Sequence, residues 1–86
     1  MARVVIYTKS YCSFCRAAKA LLRSKGIDFQ ETDITDETAL QEKVRQLSGQ
    51  TTVPQIFIDG RPIGGYEELR RLDATRELDR LLGLSK

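Results

Sequence analysis

The chain has 86 residues, 41% apolar and 30% charged, a balance that excludes a disordered chain and points to one compact domain. With 14 basic and 12 acidic residues the net charge is +2, too small for general attraction to polyanions such as nucleic acid. There is no histidine and there are only two cysteines, so one chain cannot fill a zinc site from the usual four ligands or build a Cys-His or Ser-His-Asp centre.

Met1-Ala2-Arg3 leads directly into Val4-Val5-Ile6-Tyr7, too short a lead for a signal peptide, and no apolar run approaches the ~20 residues of a membrane span. Residues 4–7 are β-branched and apolar and predict a buried strand, followed by a polar loop over 8–11. Between residues 13 and 25, Phe14, Ala17, Ala18, Leu21 and Leu22 fall at helical spacing, and Gly26 supplies the stop. Residues 28–34 alternate and predict a second strand. Thr35 and Asp36 are N-cap candidates for a helix with Leu40, Val44 and Leu47 on one face, ended by Gly49. Gln55-Ile56-Phe57-Ile58 predicts a third strand, Asp59-Gly60 a hairpin turn, and Arg61-Pro62-Ile63 the return strand. Gly64-Gly65 breaks that strand, and residues 66–72 and 75–82 predict two short helices or one bent helix. The order β-α-β-α-β-β-α reads as an α/β fold. Its opening unit implies a parallel pair with a right-handed crossover, and the hairpin adds an antiparallel pair. The expectation is a mixed four-stranded sheet flanked by helices.

Cys12-Ser13-Phe14-Cys15 lies between the first strand and the first helix, with Cys12 at the helix N-terminus and Cys15 one turn later on the same face. Unpaired backbone N–H groups there stabilise an anion, and the thiolate of Cys12 is one. Local charge acts in the same sense: residues 9–27 hold five basic side chains (Lys9, Arg16, Lys19, Arg23, Lys25) and no acidic one, whereas residues 28–42 hold six acidic ones and no basic one. A solvated basic helix face accounts equally well for Arg23 and Lys25. Lys9, three residues before Cys12, can bring its ammonium to the site.

A disulfide across so short a ring would brace the fold by only roughly 2 kcal/mol, against ~3 for a ring of fifteen residues. The pair is therefore better placed for exchange than for bracing. A thiol of ordinary pKa ~8.5 is about 3% ionised at neutral pH, so full ionisation gains roughly thirtyfold. Intrinsic nucleophilicity falls with a Brønsted slope of ~0.4–0.5, which nearly cancels that gain for attack. It survives when the sulfur leaves. The chemistry thus favours a mixed disulfide formed on Cys12 and released by a second thiol.

Over essentially its whole length the sequence resembles the glutaredoxins. The matching residues are Lys9, Cys12-Ser13-Phe14-Cys15, Thr52-Val53-Pro54, Gly64-Gly65-Tyr66-Glu67 and Leu69. The resemblance implies a thioredoxin-like fold in a single glutaredoxin domain over residues 1–86, a cis peptide at Pro54 and glutathione as reductant. It makes Cys12 and Cys15 catalytic. It also implies glutathione contacts at Lys9, Phe14, Gln41, Thr52, Val53, Pro54, Gly65, Tyr66 and Glu67.

Each matched segment has a physical task in that picture. Val53, extended before proline, can offer N–H and C=O to a peptide ligand like an added strand. Gly64-Gly65 allows close approach, and the helix N–H groups after it can hold a γ-glutamyl carboxylate. Glu67 can receive the ligand's ammonium, while Lys9 and Gln41 would meet its glycine carboxylate. On the residues alone, a trans Pro54 opening a strand, and a turn followed by an acidic first helical turn, stay open. The chain departs from the family at Ser13, usually proline, and Phe14, usually tyrosine. Tyr66 replaces a small residue, and Glu67 stands where aspartate is commoner. The loss of proline leaves a free N–H at the helix start.

These readings imply a glutathione-dependent thiol–disulfide oxidoreductase that reduces protein disulfides and protein–glutathione mixed disulfides, with Cys12 as nucleophile and Cys15 resolving. Its expected partners are glutathione and oxidised proteins, with no nucleic acid and no membrane, and it is expected to act as a cytoplasmic monomer with no tightly bound cofactor or metal. The alternative of another class is a dimeric module binding a glutathione-ligated [2Fe–2S] cluster through Cys12, which the resemblance attaches to serine at position 13. A thioredoxin-type donor is the nearest enzymatic rival, and the tryptophan usual beside its cysteines is absent from this chain.

Overall fold

A computed structural model describes residues 2–84. The elements run β1 (Val4–Thr8), α1 (Ser13–Ser24), β2 (Gln30–Asp33), α2 (Thr38–Ser48), β3 (Gln55–Ile58), β4 (Arg61–Gly64), α3 (Tyr66–Ala74) and α4 (Glu77–Leu81). One sheet has the strand order β2-β1-β3-β4. β1 pairs parallel with β2 (Val5 opposite Gln30) and antiparallel with β3 (Ile6 opposite Ile56), and β3 pairs antiparallel with β4. Asp59 and Gly60 both take positive φ, 52° and 81°, the hairpin turn whose twist matches its strands.

Alternation along the central strands divides the two faces. Val4, Ile6, Ile56 and Ile58 face α1, α3 and α4 and form one core with Ala18, Leu22, Leu69, Leu78 and Leu82. The other face carries Val5, Tyr7 and Phe57, with Tyr7 and Phe57 packed edge to face at 5.7 Å. Cys15, Ala18 and Leu22 form the buried stripe of α1, which fixes that helix rigidly behind its own N-terminus.

Two local expectations are corrected. Neither Thr35 nor Asp36 caps α2; Glu37 holds the cap position and makes no side-chain cap bond. Thr35 is engaged elsewhere: its N–H and hydroxyl both bond Asp33 Oδ1, and its Oγ1 accepts the Ser10 N–H at 2.9 Å, tying the loop before α1 to the loop before α2. Leu40, Val44 and Leu47 do share one face of α2, but burial along that face is uneven. Val44 is buried, but Leu47 is 53% exposed beside an open cleft. The second strand is also shorter than its alternation suggested, since only four of its residues find partners on β1. The segment after β4 resolves into two helices.

Lys25, at the end of α1, joins the helical layer together. Its Nζ lies 2.6 Å from Asp73 on α3 and 2.8 Å from Asp79 on α4, and these two carboxylates raise its pKa above the ordinary 10.5. Lys25→Met would leave the two carboxylates facing each other without a cation. It is expected to destabilise the fold by roughly 1 kcal/mol at neutral pH. Because the folded value is raised, the stabilisation is full below 10.5 and fades as pH rises through the higher folded value. Urea unfolding of both proteins checks this: the gap should be present at pH 7 and shrink in strong alkali.

Candidate active site

The two cysteines occupy very different surroundings although they are one helical turn apart. Cys12 is the N-cap of α1, with extended backbone, and its Sγ accepts the Cys15 N–H at 3.0 Å. Its thiol also reaches the Val53 carbonyl oxygen at 3.6 Å. Cys12 is half-buried, whereas Cys15 is 1% exposed. Burial, and next the hydrogen bond to Cys12, push the Cys15 thiol up to about 12. At neutral pH Cys15 therefore keeps its proton. No disulfide joins the pair.

Around Cys12 the surface is aromatic and basic. Tyr11 is 74% exposed and Phe14 62% exposed, and Phe14 stacks on Tyr66 with ring centroids 6.1 Å apart. Among the described residues Lys9 and Arg16 have no ion-pair partner, while Lys19 is paired with Glu31 at 2.9 Å and Lys25 with Asp73 and Asp79. Lys19 and the buried Thr8 both bond Glu31 and hold its carboxyl below the ordinary value. Of the five basic residues, Lys19 and Lys25 thus serve the scaffold, and Arg23 lies over the Phe29 ring.

The Val53–Pro54 peptide is cis, as the resemblance implied. Two cavities meet along this segment, and Thr52 and Val53 line both. The smaller, of about 230 Å³, is bordered by Lys9 and Gln41. The larger, of about 600 Å³, is bordered by Phe14, Pro54, Gly65, Tyr66 and Glu67. All nine residues expected around glutathione therefore border one or both of these adjoining cavities, and Cys12 Sγ lies 3.6 Å from the carbonyl oxygen of Val53, which borders both. Two of the nine are engaged within the protein. Gln41 Nε2 donates to Ile34 O at 2.6 Å and Thr35 O at 3.1 Å, bracing the loop before α2. Glu67 is paired with Arg70 at 2.7 Å.

Close packing accounts for the two glycines. Gly64 has φ +116°, and a Cβ there would lie 2.8 Å from Glu68 Oε1; at Gly65 a Cβ would lie 3.3 Å from Pro54 O. Glu68 Oε1 accepts the Gly65 N–H at 2.7 Å and so holds the start of α3. Reading the sequence missed Glu68, Arg70 and Gln50 as groove residues, and Gln55 as the brace beneath them. Glu68 was signalled by its place three residues after a glycine N-cap, and Arg70 by its spacing from Glu67. Gln50 and Gln55 had no such signal.

A sulfur held at a helix N-cap, backed by a buried protonated partner and faced by a cis-proline segment, defines a thiol–disulfide oxidoreductase of thioredoxin-like fold. Comparison with known proteins makes the class narrower. The Glutaredoxin family model matches residues 4–63. The chain is 55% identical to Glutaredoxin 3 of Escherichia coli (strain K12) over 82 residues, 95% of this chain and 99% of that one. The fold superposes on the crystal structure of a buckwheat glutaredoxin–glutathione complex with a TM-score of 0.90 at 30% identity, covering 95% of this chain and 77% of that one. It superposes on the solution structure of a Brucella melitensis glutaredoxin with a TM-score of 0.87 at 41% identity, covering 100% and 94%. The chain belongs to the glutaredoxin family.

The asymmetry of the two sulfurs has a direct readout. Brief treatment of the reduced native protein with iodoacetamide at pH 7 should place one adduct, on Cys12, and Cys15 should become reactive only on unfolding or in strong alkali. Peptide mapping by mass spectrometry checks this; equal labelling of both cysteines in the native state would contradict it.

Proposed function

We propose that this protein is a glutathione-dependent thiol–disulfide oxidoreductase, with Cys12 as nucleophile and Cys15 as resolving thiol. The observation that carries this reading is the half-exposed sulfur of Cys12, 3.6 Å from the carbonyl oxygen of Val53, a residue that borders both cavities. Cys12 attacks a protein–glutathione mixed disulfide; the protein thiol leaves with a proton, and Cys12 carries glutathione. The thiolate of a second glutathione attacks that disulfide, releasing glutathione disulfide and the Cys12 thiolate. With a protein disulfide, Cys12 attacks one sulfur and the other leaves as a thiol; Cys15 then gives up its proton and attacks Cys12 Sγ, closing a Cys12–Cys15 bond as the second substrate thiol leaves with that proton, and two glutathione molecules reopen the bond and leave as glutathione disulfide. The Cys15 N–H, 3.0 Å from Cys12 Sγ, is placed to stabilise negative charge on that sulfur each time it leaves.

In this reading the ligand lies along Val53. Its glycine carboxylate turns toward Lys9 and, if the amide lets go one carbonyl, Gln41. Its γ-glutamyl end enters between Phe14, Tyr66 and Glu67. Residues 1–86 act as one glutaredoxin domain and one monomer, in the reducing cytoplasm where both cysteines stay thiols. Among the described residues no helix is long and apolar enough to cross a membrane. The cluster-binding alternative has less support. With Cys15 buried, a cluster would have to be held by Cys12 and glutathione from each of two chains.

Exchanging the cysteines one at a time tests the roles. Cys12→Ser should lose all turnover. Cys15→Ser should keep reduction of a glutathionylated peptide and lose reduction of a protein disulfide that needs both thiols. Assays with glutathione, glutathione reductase and NADPH report both; activity surviving in Cys12→Ser would refute the assignment.

A further inference from the structure

A protein–glutathione mixed disulfide has two halves, and the two cavities along Val53 account for only one of them. When Cys12 attacks the glutathione sulfur, the leaving protein sulfur is only about two S–S bond lengths, ~4 Å, from Cys12 Sγ. The residues beside that protein cysteine must therefore rest on the surface next to Cys12 that glutathione leaves free. Two exposed side chains close to Cys12, Tyr11 and Arg16, border neither cavity.

Arg16 follows Cys12 by one helical turn, and its N–H donates to the Cys12 carbonyl oxygen at 3.3 Å. Helical side chains lean toward the N-terminus, so an arginine at this position covers the turn that begins at Cys12. A cation here opposes the helix dipole, and the first turn of α1 has no acidic residue to offset it. Among the described residues Arg16 makes no ion pair, so nothing within the protein accounts for its charge. Lys9, the other unpaired cation near Cys12, borders the smaller cavity and is taken by the glycine carboxylate in the reading above. Tyr11 is 74% exposed, and its ring joins apolar area to a polar tip, a side chain suited to protein contacts. Arginine can meet a carboxylate with two parallel hydrogen bonds. We propose that Tyr11 and Arg16 form the docking surface for the protein half of the substrate, and that this surface selects polypeptide segments carrying an acidic side chain next to the oxidised cysteine. This rests on the glutathione reading.

The experiment measures kcat/KM for two glutathionylated peptides of one sequence, with Glu on both sides of the cysteine in one and Lys in the other. The mixed disulfide of glutathione and 2-mercaptoethanol serves as a substrate with no protein half. Wild type should prefer the Glu peptide by roughly five- to tenfold at low salt, and the preference should shrink as salt is raised. Arg16→Gln should cut that ratio to about twofold or less, Arg16→Glu should reverse it and Arg16→Lys should keep most of it. Tyr11→Ser should lower kcat/KM for both peptides about threefold and leave the small mixed disulfide within about twofold. The ratio cancels any effect of Arg16 on Cys12 itself, because a changed nucleophile or a changed helix start alters both peptides alike. A ratio untouched by Arg16→Gln, or a wild type with no preference for the Glu peptide, overturns the inference and leaves the glutathione reading standing. Absence of glutathione-linked turnover of the small mixed disulfide in the wild type overturns both.

Discussion

Burial of Cys15 beneath Cys12 is the constraint on which the rest of the site depends. The two residues share a helical turn, yet one sulfur is driven to keep its proton while the other sits at a helix N-cap, where backbone N–H groups face it. A buried thiol costs free energy to ionise, so Cys15 keeps its proton at neutral pH. The same burial makes Cys15 part of the apolar stripe that anchors α1 to the sheet. Redox asymmetry and helix docking therefore have one cause. A change that loosened Ala18 or Leu22 would unsettle the sulfurs as well as the core.

The segment opposite Cys12 is held by a comparable device. Gln55 is fully buried at the start of β3, and its Nε2 donates to Gln50 Oε1 at 3.0 Å and Thr52 O at 2.9 Å. One buried amide thus ties down the residues that border both cavities, and Val53 projects its backbone from a braced turn instead of a free loop. On the far side of the groove, Glu68 holds the first N–H of α3 and Gly65 packs against Pro54 O. Each wall of the groove is fixed by a hydrogen bond to its own backbone. This explains how so short a chain presents a preformed cleft with little core behind it.

Much of this was legible in the sequence because local and long-range signals agreed. The β-branched runs, the Asp59-Gly60 turn and the Cys-x-x-Cys at a strand-to-helix junction each point to one geometry, and the strand order follows from connection rules. The failures occur where a side chain had two possible partners. Thr35 reads as a helix cap, yet its hydroxyl meets Asp33 and Ser10, a contact that exists only once two loops are brought together. Leu47 shares its helix face with the buried Val44, yet it is left 53% exposed beside the cleft that Tyr7 and Phe57 line. Gln55 looks like any strand glutamine until the turn at Pro54 folds Gln50 and Thr52 back over it. Of the charged residues near Cys12, only the fold separates those that neutralise one another from Lys9 and Arg16.

The charges that remain give the groove a direction. Lys9, Glu42 and Arg45 border one end and Glu67, Glu68 and Arg70 the other, with the Val53 backbone between them and Cys12 Sγ 3.6 Å from its carbonyl oxygen. A peptide with a plain carboxylate at one terminus and a zwitterion at the other fits this pattern one way round. Reversal would set an ammonium against Lys9 and leave a carboxylate facing Glu67 and Glu68. Charge thus differs along the length of the cleft, while the aromatic pair of Phe14 and Tyr66 supplies apolar area without regard to direction. The difference between the two ends is a consequence of where six charged side chains stand along a cleft that the fold had already made.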